Sequence, residues 1–186
     1  MKYINANFFS IEELNEFKFK KIGKNVLISK NAVIIGSENI CIGDFTRIDP
    51  FTVLMAPRGY IEIGKVSHIS THVLICGHVG VKLGNFCGLG SGTKIYSSSE
   101  SYTGDGVSNL NLLNNDKLKR FSKYDIGEVV IKDHTNIGAN CTVLPKAVVG
   151  KNSAIGANSI IKGKLKGGFI YSGSPLRAII KKSDNN

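Results

Sequence analysis

The chain has 186 residues, of which 42% are hydrophobic and 20% are charged, as in an ordinary globular domain. Its 21 glycines against 4 prolines argue against a disordered linker, and no apolar run reaches the roughly 18 residues of a membrane span. The net charge of +10 indicates a basic solvated surface or a phosphate-bearing ligand, because the lysines are scattered without the interleaved aromatic residues that nucleic-acid binding favours.

Residues 1–21 are predicted to form an N-terminal cap. The segment MKYINANFFSIEEL lacks the apolar core and the cleavage site of a signal peptide, so a cytoplasmic protein without stable membrane insertion is expected. Ser10 and Glu13 have the spacing of a capping box, which predicts a short helix directly after Ser10.

Residues 22–170 contain a hexapeptide repeat with two constraints at the same period. A large aliphatic residue recurs at every sixth position, often followed by glycine, and the position four residues later is small or β-branched. The repeat slips by two residues between Ile75 and Leu83. The small or β-branched positions are Val26, Ala32, Thr46, Thr52, Ser67, Val73, Val79, Cys87, Thr93, Thr135, Cys141, Ala147, Ser153 and Ser159.

A period of six fits neither an α-helix nor a long alternating strand. It fits a short strand and a turn, with one large residue pointing inward on each side of a three-sided coil. Stacked coils then pair as parallel strands, and their ends need caps. The sequence therefore predicts an all-β parallel β-helix. Because Cys87 and Cys141 occupy small core positions and no C-x-x-C pair occurs, all four cysteines are expected to be reduced thiols.

The repeat is interrupted at about residues 97–128 by a long polar segment rich in Ser, Asn, Asp and Lys. An insertion of this length in a solenoid is usually functional, so we expect an excursion loop that contributes to an active site. Residues 171–186 are expected to form a C-terminal tail. Within it, Ser174 and Pro175 end the repeat, and the segment LRAIIKK is expected to be a short helix or an extended arm.

Four segments carry a resemblance to a known family: FKKIGKNVLIS, GLGSGTKIYSSSESYTG, VVIKDHTNIGANCTVLP and YSGSPLRAII. The chain resembles the hexapeptide-repeat acyltransferases, in particular the sugar O-acetyltransferases of bacterial surface-polysaccharide synthesis and the galactoside acetyltransferases. This resemblance implies a left-handed β-helix, a homotrimer and acetyl-CoA as co-substrate with no metal required. It also implies acetyl transfer to a hydroxyl of a carbohydrate or nucleotide sugar.

Acyl transfer needs a base that accepts the acceptor's proton, and imidazole suits this role near neutral pH. In galactoside-type relatives the base is a histidine at the start of the loop, where this chain has Glu100, which is therefore expected to orient a histidine or to act as the base. His68 is the first candidate imidazole, and both residues are expected at corners of the coil. His78, beside the slip, and His134, in the first coil after the loop, are the other candidates.

The resemblance also implies a cofactor site near the end of the repeat. Backbone positions at Gly138, Ala139 and Ala157 match the pantetheine groove of the family. Cationic side chains suit phosphate oxygens, and three that follow this region are candidates for the CoA phosphates: Lys162, Arg177 and Lys181.

Three alternatives remain open at this point. An amino-sugar N-acetyltransferase would need less help from a base, which the absence of a histidine at the loop would permit. A γ-type carbonic anhydrase would need three histidine ligands around zinc, and His68 and His72 lack a shared helical face. A non-enzymatic binding solenoid would have no affinity for acetyl-CoA.

Overall fold

A computed structural model describes residues 7–100 and 124–182, which form a three-sided parallel β-helix. The first sheet contains β1 (Lys21–Ile22), β4 (Ile40–Ile42), β7 (Ile61–Ile63), β10 (Val81–Leu83), β15 (Val129–Ile131), β18 (Val148–Val149) and β21 (Lys164–Leu165). The second contains β2 (Leu27–Ile28), β5 (Arg47–Ile48), β8 (His68–Ile69), β11 (Gly88–Leu89), β16 (Asn136–Ile137), β19 (Ala154–Ile155), β22 (Phe169–Ser172) and β23 (Arg177–Lys181). The third contains β3 (Val33–Ile35), β6 (Val53–Met55), β9 (Leu74–Cys76), β12 (Lys94–Tyr96), β17 (Thr142–Val143) and β20 (Ile160–Ile161).

Three sets of turns join the sheets and form the edges of the prism. We call them the first corner (after the first sheet; residues 23–25, 43–45, 64–66, 84–86, 132–134 and 150–152), the second corner (after the second sheet; residues 49–51, 70–72, 90–92, 138–140 and 156–158) and the third corner, where the third sheet returns to the first. The third corner contains a 3₁₀ turn at Ser37–Asn39 and the excursion.

The core consists of three columns of aliphatic side chains, one per sheet, which confirms the predicted inward positions. Within the second column, Ile48, Ile69 and Leu89 are paired in register on adjacent coils and are almost completely buried. Parallel pairing in register stacks the same repeat position of every coil, so the six-residue period becomes a continuous core.

The small positions of the repeat lie inside the corners, and their hydroxyls join adjacent coils. Thr46 Oγ1 donates to the carbonyl of Gly64 at 2.9 Å, and Thr93 Oγ1 donates to that of Gly138 at 2.9 Å. Val79 departs from the prediction because it is 38% exposed. The two-residue slip moves this segment outward, where the Val79 amide donates to Ser97 Oγ at 3.0 Å.

Both ends of the described solenoid carry an additional element. Helix α1 (Ile11–Glu16) begins with the predicted capping box between Ser10 and Glu13, and it buries Leu14 against the first coil. At the other end, the tail is extended: β23 pairs antiparallel with β22 of the second sheet. The tail thus adds a strand to the second sheet, whereas β21 and β20 are the last described strands of the first and third sheets.

The four cysteines are free, as expected for reduced thiols, and burial raises the pKa of Cys76, Cys87 and Cys141. Among the residues that the structure describes, no helix is long and apolar enough to cross a membrane.

Substituting Gly64 by alanine is expected to destabilise the fold by about 1–3 kcal/mol, the usual range for overpacking. A Cβ at Gly64 would lie 2.5 Å from the backbone of Gly84 on the next coil, so the coils would have to separate. Gly88→Ala is the matched control, because its Cβ would meet only the side-chain amide of Asn136, which can rotate away. Urea unfolding measures both variants, and equal losses would contradict the explanation.

Candidate functional site

His68 belongs to an ion-paired group on the outer surface of the second sheet. His68 Nε2 lies 2.8 Å from Asp49 Oδ2, and Arg47 Nε donates to Asp49 Oδ1 at 2.7 Å. The Asp49 side chain is only 14% exposed, whereas that of His68 is 52% exposed. The expected corner position of His68 is wrong: this residue begins strand β8, because the turn ends before it at Val66. A carboxylate on one ring nitrogen leaves the other nitrogen free to accept a proton.

Glu100 lies at the base of the excursion. The described ends of the excursion form a two-stranded antiparallel ribbon of β13 (Ser98–Glu100) and β14 (Tyr124–Ile126), in which Glu100 is paired with Tyr124. Glu100 is exposed, and it was expected at a corner of the coil, whereas it lies on a strand that leaves the third corner. The rest of the predicted loop, residues 101–123, lies outside the described residues.

The other histidines lie at three different corners. His78 is exposed at the third corner, next to Val79, whose amide contacts Ser97 just before the ribbon. His134 is at the first corner and stacks on Phe86, with ring centroids 4.8 Å apart and an interplanar angle of 7°. His72 is at the second corner beside Phe51. Among the described residues, no three His, Cys, Asp or Glu side chains are grouped as metal ligands.

Two groups of side chains hold the ribbon and the residues after it against the coils, and neither was predicted from the sequence. We call Tyr60, Lys82 and Glu128 the clasp: the Tyr60 hydroxyl donates to Glu128 Oε1, and Lys82 Nζ lies 3.0 Å from the same oxygen. On the other side, Lys146 Nζ lies 2.5 Å from Asp125 Oδ1 of β14. The partners in each group are far apart in sequence. The one signal in the sequence was an acidic residue, Glu128, at the end of the excursion.

The clasp has a predictable pH dependence. Hydrogen bonds from Tyr60 and Lys82 lower the pKa of Glu128, and burial together with the Glu128 carboxylate raises the pKa of Tyr60. A lowered carboxyl pKa stabilises the fold above the unfolded-state value of about 4.3, and this contribution is lost as the pH falls through the folded-state pKa. The difference in melting temperature between wild type and Glu128→Gln is therefore expected to shrink from about pH 6 to about pH 3. A constant difference would contradict a stabilising carboxylate.

The residues predicted to bind the cofactor are only partly brought together. Gly138, Ala139 and Ala157 stack at the second corner, where the Asn158 amide donates to the Ala139 carbonyl at 2.9 Å. Arg177 lies at the same corner. It is paired with Ser172, and the Ser172 side chain is so close to Gly156 of the second corner that a Cβ on this glycine would meet it. In contrast, Lys162 follows β20 toward the third corner.

Lys181 lies away from that group as well. It is paired with Phe169 at the other end of β22, which is the end nearest the first corner. Arg177 and Lys181 are four positions apart along an extended strand, which places them up to about 13 Å apart. The second corner therefore retains one of the three predicted cations.

A groove of about 650 Å³ runs along the outer surface of the first sheet and the first corner. We call it the first-face groove; its charged lining residues are Lys21, Lys65, Lys82, Lys132, Lys151, Asp44, Glu62 and Asp133. Lys82 also belongs to the clasp, so the groove reaches the base of the ribbon that carries Glu100. Neither the groove nor its link to the ribbon was predicted, because its residues come from six coils.

Comparison with known proteins defines the class of protein. The family model for the bacterial transferase hexapeptide (six repeats) matches residues 128–163. A dTDP-4-amino-4,6-dideoxy-D-glucose acyltransferase of Escherichia coli is 34% identical over 171 residues, which cover 92% of this chain and 86% of that protein. The chain therefore belongs to the hexapeptide-repeat acyltransferases, and its β-helix is left-handed, as the resemblance implied.

Two further similarities are informative about acyltransferases of sugars. AntD, an N-acyltransferase from Bacillus cereus solved in complex with dTDP and 3-hydroxybutyryl-CoA, superposes with a TM-score of 0.87 at 34% identity, covering 97% of this chain and 92% of AntD. The putative lipopolysaccharide biosynthesis O-acetyl transferase WbbJ of Escherichia coli is 39% identical over 54 residues, only 29% of this chain and 27% of WbbJ.

Proposed function

We propose that this chain is an N-acyltransferase that transfers an acyl group from a CoA thioester to the amine of a nucleotide-linked amino sugar. The observation that carries the proposal is the similarity along nearly the whole chain to two acyltransferases, one named for a dTDP-linked amino sugar and the other an N-acyltransferase solved with dTDP. O-acetyl transfer, the first expectation from the sequence, has its support from a much shorter similarity to WbbJ. The alternative prediction of N-acylation is therefore preferred.

The reaction joins the acceptor nitrogen to the thioester carbonyl carbon. The amine lone pair forms the new C–N bond, the C–S bond breaks, and the thiolate of CoA leaves. The nitrogen must lose a proton, which a base accepts and the departing thiolate finally receives. Two candidate bases suit this step: Glu100 on the ribbon, and His68 oriented by Asp49.

The second corner fits an extended CoA arm. Small residues at Gly138, Ala139 and Ala157 leave their backbone accessible, and Arg177 at the same corner supplies a cation for a CoA phosphate. Lys162 and Lys181 remain secondary candidates, because they lie at other corners.

A homotrimer, as the family resemblance implied, is part of the proposal. Within one chain, His68 is on the second face and Glu100 leaves the third corner, so these residues contact one active site together only if that site lies between chains. Light scattering after gel filtration measures the oligomeric state. A monomer with full activity would contradict an active site between chains. His68 and Glu100 could then not both contact the same active site.

The function is tested by following CoA thiol release with purified protein. We expect release with a nucleoside-diphosphate-linked 4-amino-4,6-dideoxyhexose, and mass spectrometry should find an amide product that resists mild base. The matched acceptor with a hydroxyl in place of the amine is expected to be inactive. Acetyl-CoA and 3-hydroxybutyryl-CoA are compared as donors to determine which acyl group is transferred. Turnover of the hydroxyl acceptor alone would replace N-acylation by O-acylation.

A further inference from the structure

The first-face groove carries a net positive charge, because five lysines line it against three carboxylates. Two of its carboxylates are already used within the solenoid: Asp44 Oδ1 accepts from the Lys24 amide at 2.7 Å, and Asp133 Oδ1 accepts from the Asn85 amide at 2.8 Å. Across the described parts of the chain, four lysines of the groove form no ion pair: Lys21, Lys65, Lys132 and Lys151. Ammonium groups without carboxylate partners attract a polyanionic ligand.

The floor of the groove is kept open by glycine. Gly43, Gly64 and Gly84 follow the inward residues of three successive coils, and all three line the groove. A Cβ at any of them would lie 2.4–2.5 Å from an atom of the next coil. Glycine is thus required here for stacking, and its lack of a side chain also lets a ligand approach the backbone.

The two edges of the groove offer different chemistry. At one edge is the clasp, which holds the ribbon with Glu100. At the other edge, the exposed ring of Phe86 stacks on His134, directly after the groove residues Asn85 and Asp133. Aromatic rings next to cations are the surface on which nucleobases stack. Lys82 at one edge and Phe86 at the other are four positions apart in the chain, which is at most about 13 Å.

We propose that the first-face groove is the site of the nucleoside diphosphate of the acceptor, an assignment that rests on the proposed function. Lys65 and Lys132 bind the diphosphate, the base packs on the Phe86–His134 pair, and the amino sugar extends past Lys82 to Glu100. The anion is thereby placed away from the second corner, where Arg177 serves the CoA phosphate. The nucleoside diphosphate and CoA are then bound by different cationic side chains.

The proposal is tested by calorimetric titration of the full chain with thymidine diphosphate, and separately with CoA. Lys65→Ala combined with Lys132→Ala is expected to raise the Kd for the nucleoside diphosphate by at least about tenfold, because two charge-assisted contacts are lost, while the Kd for CoA stays within about twofold. Lys164→Ala is the matched control. Lys164 is an exposed lysine of the same sheet that does not line the groove, and its replacement should change neither affinity.

The outcomes separate this assignment from the proposed function. If the double variant binds the diphosphate like wild type, or loses CoA equally, the assignment is overturned, whether or not the wild-type enzyme acylates the amino sugar. If wild type binds the diphosphate through these lysines but acylates no amine, the groove assignment stands and the proposed function fails. Retention of affinity by the Lys65→Arg and Lys132→Arg pair would support charge as the cause.

Discussion

Replacing Glu100 by alanine is expected to lower kcat for acyl transfer by at least about 10²-fold, the range typical of a lost general base. Glu100 is an exposed acidic residue of the ribbon, and the clasp next to this ribbon shares Lys82 with the first-face groove, where the acceptor is proposed to bind. Its side chain is exposed, so its removal leaves the core unchanged. The variant should therefore melt at the wild-type temperature, and steady-state thiol release at saturating substrates measures the effect on kcat.

His68→Ala is the parallel test for the second candidate base, with the same expected loss if the active site lies between chains. Asp49→Asn then gives a smaller loss, because it removes only the carboxylate that orients the imidazole. Near-normal kcat for both His68→Ala and Glu100→Ala would eliminate this pair. His78 and His134 would then be the remaining candidates from the sequence, and their alanine variants would be measured in the same assay.

Ile69→Ala is expected to destabilise the solenoid by about 2–5 kcal/mol, the range for truncating a buried aliphatic side chain to alanine. Ile69 is completely buried and lies between Ile48 and Leu89 in the second column. Strand pairing above and below limits how far the coils can collapse, so a cavity remains and adds to the lost transfer free energy. Urea unfolding followed by circular dichroism measures the change.

Leu27→Ala is the control for this prediction, because Leu27 belongs to the same sheet but is 44% exposed. Its loss should cost less than about 1 kcal/mol, as for most surface substitutions. Equal destabilisation by the two variants would contradict a columnar core in which each inward residue contributes separately.

The candidate site could be predicted only in part. Glu100 was proposed because the family resemblance places the base at the start of the loop, and His68 because it is one of four histidines and lies in a segment, VSHIS, that matches the same branch. The partners of these residues were missed: Asp49 lies nineteen positions before His68, one coil away, and Glu128 meets Tyr60 across sixty-eight positions. No spacing rule links such residues, because their proximity depends on the length of each coil and on the excursion between β12 and β15.

The hexapeptide period was sufficient for the fold class and the inward columns, and the capping box of Ser10 and Glu13 for the N-terminal helix. Each of these depends on local geometry, and in the repeat a residue's position within six decides whether it points inward. Tertiary structure decided the rest: which residues share a face, that the tail adds an antiparallel strand, and that Lys162, Arg177 and Lys181 separate onto different corners. These outcomes depend on parallel register between coils of unequal length, which strand pairing sets and local sequence does not.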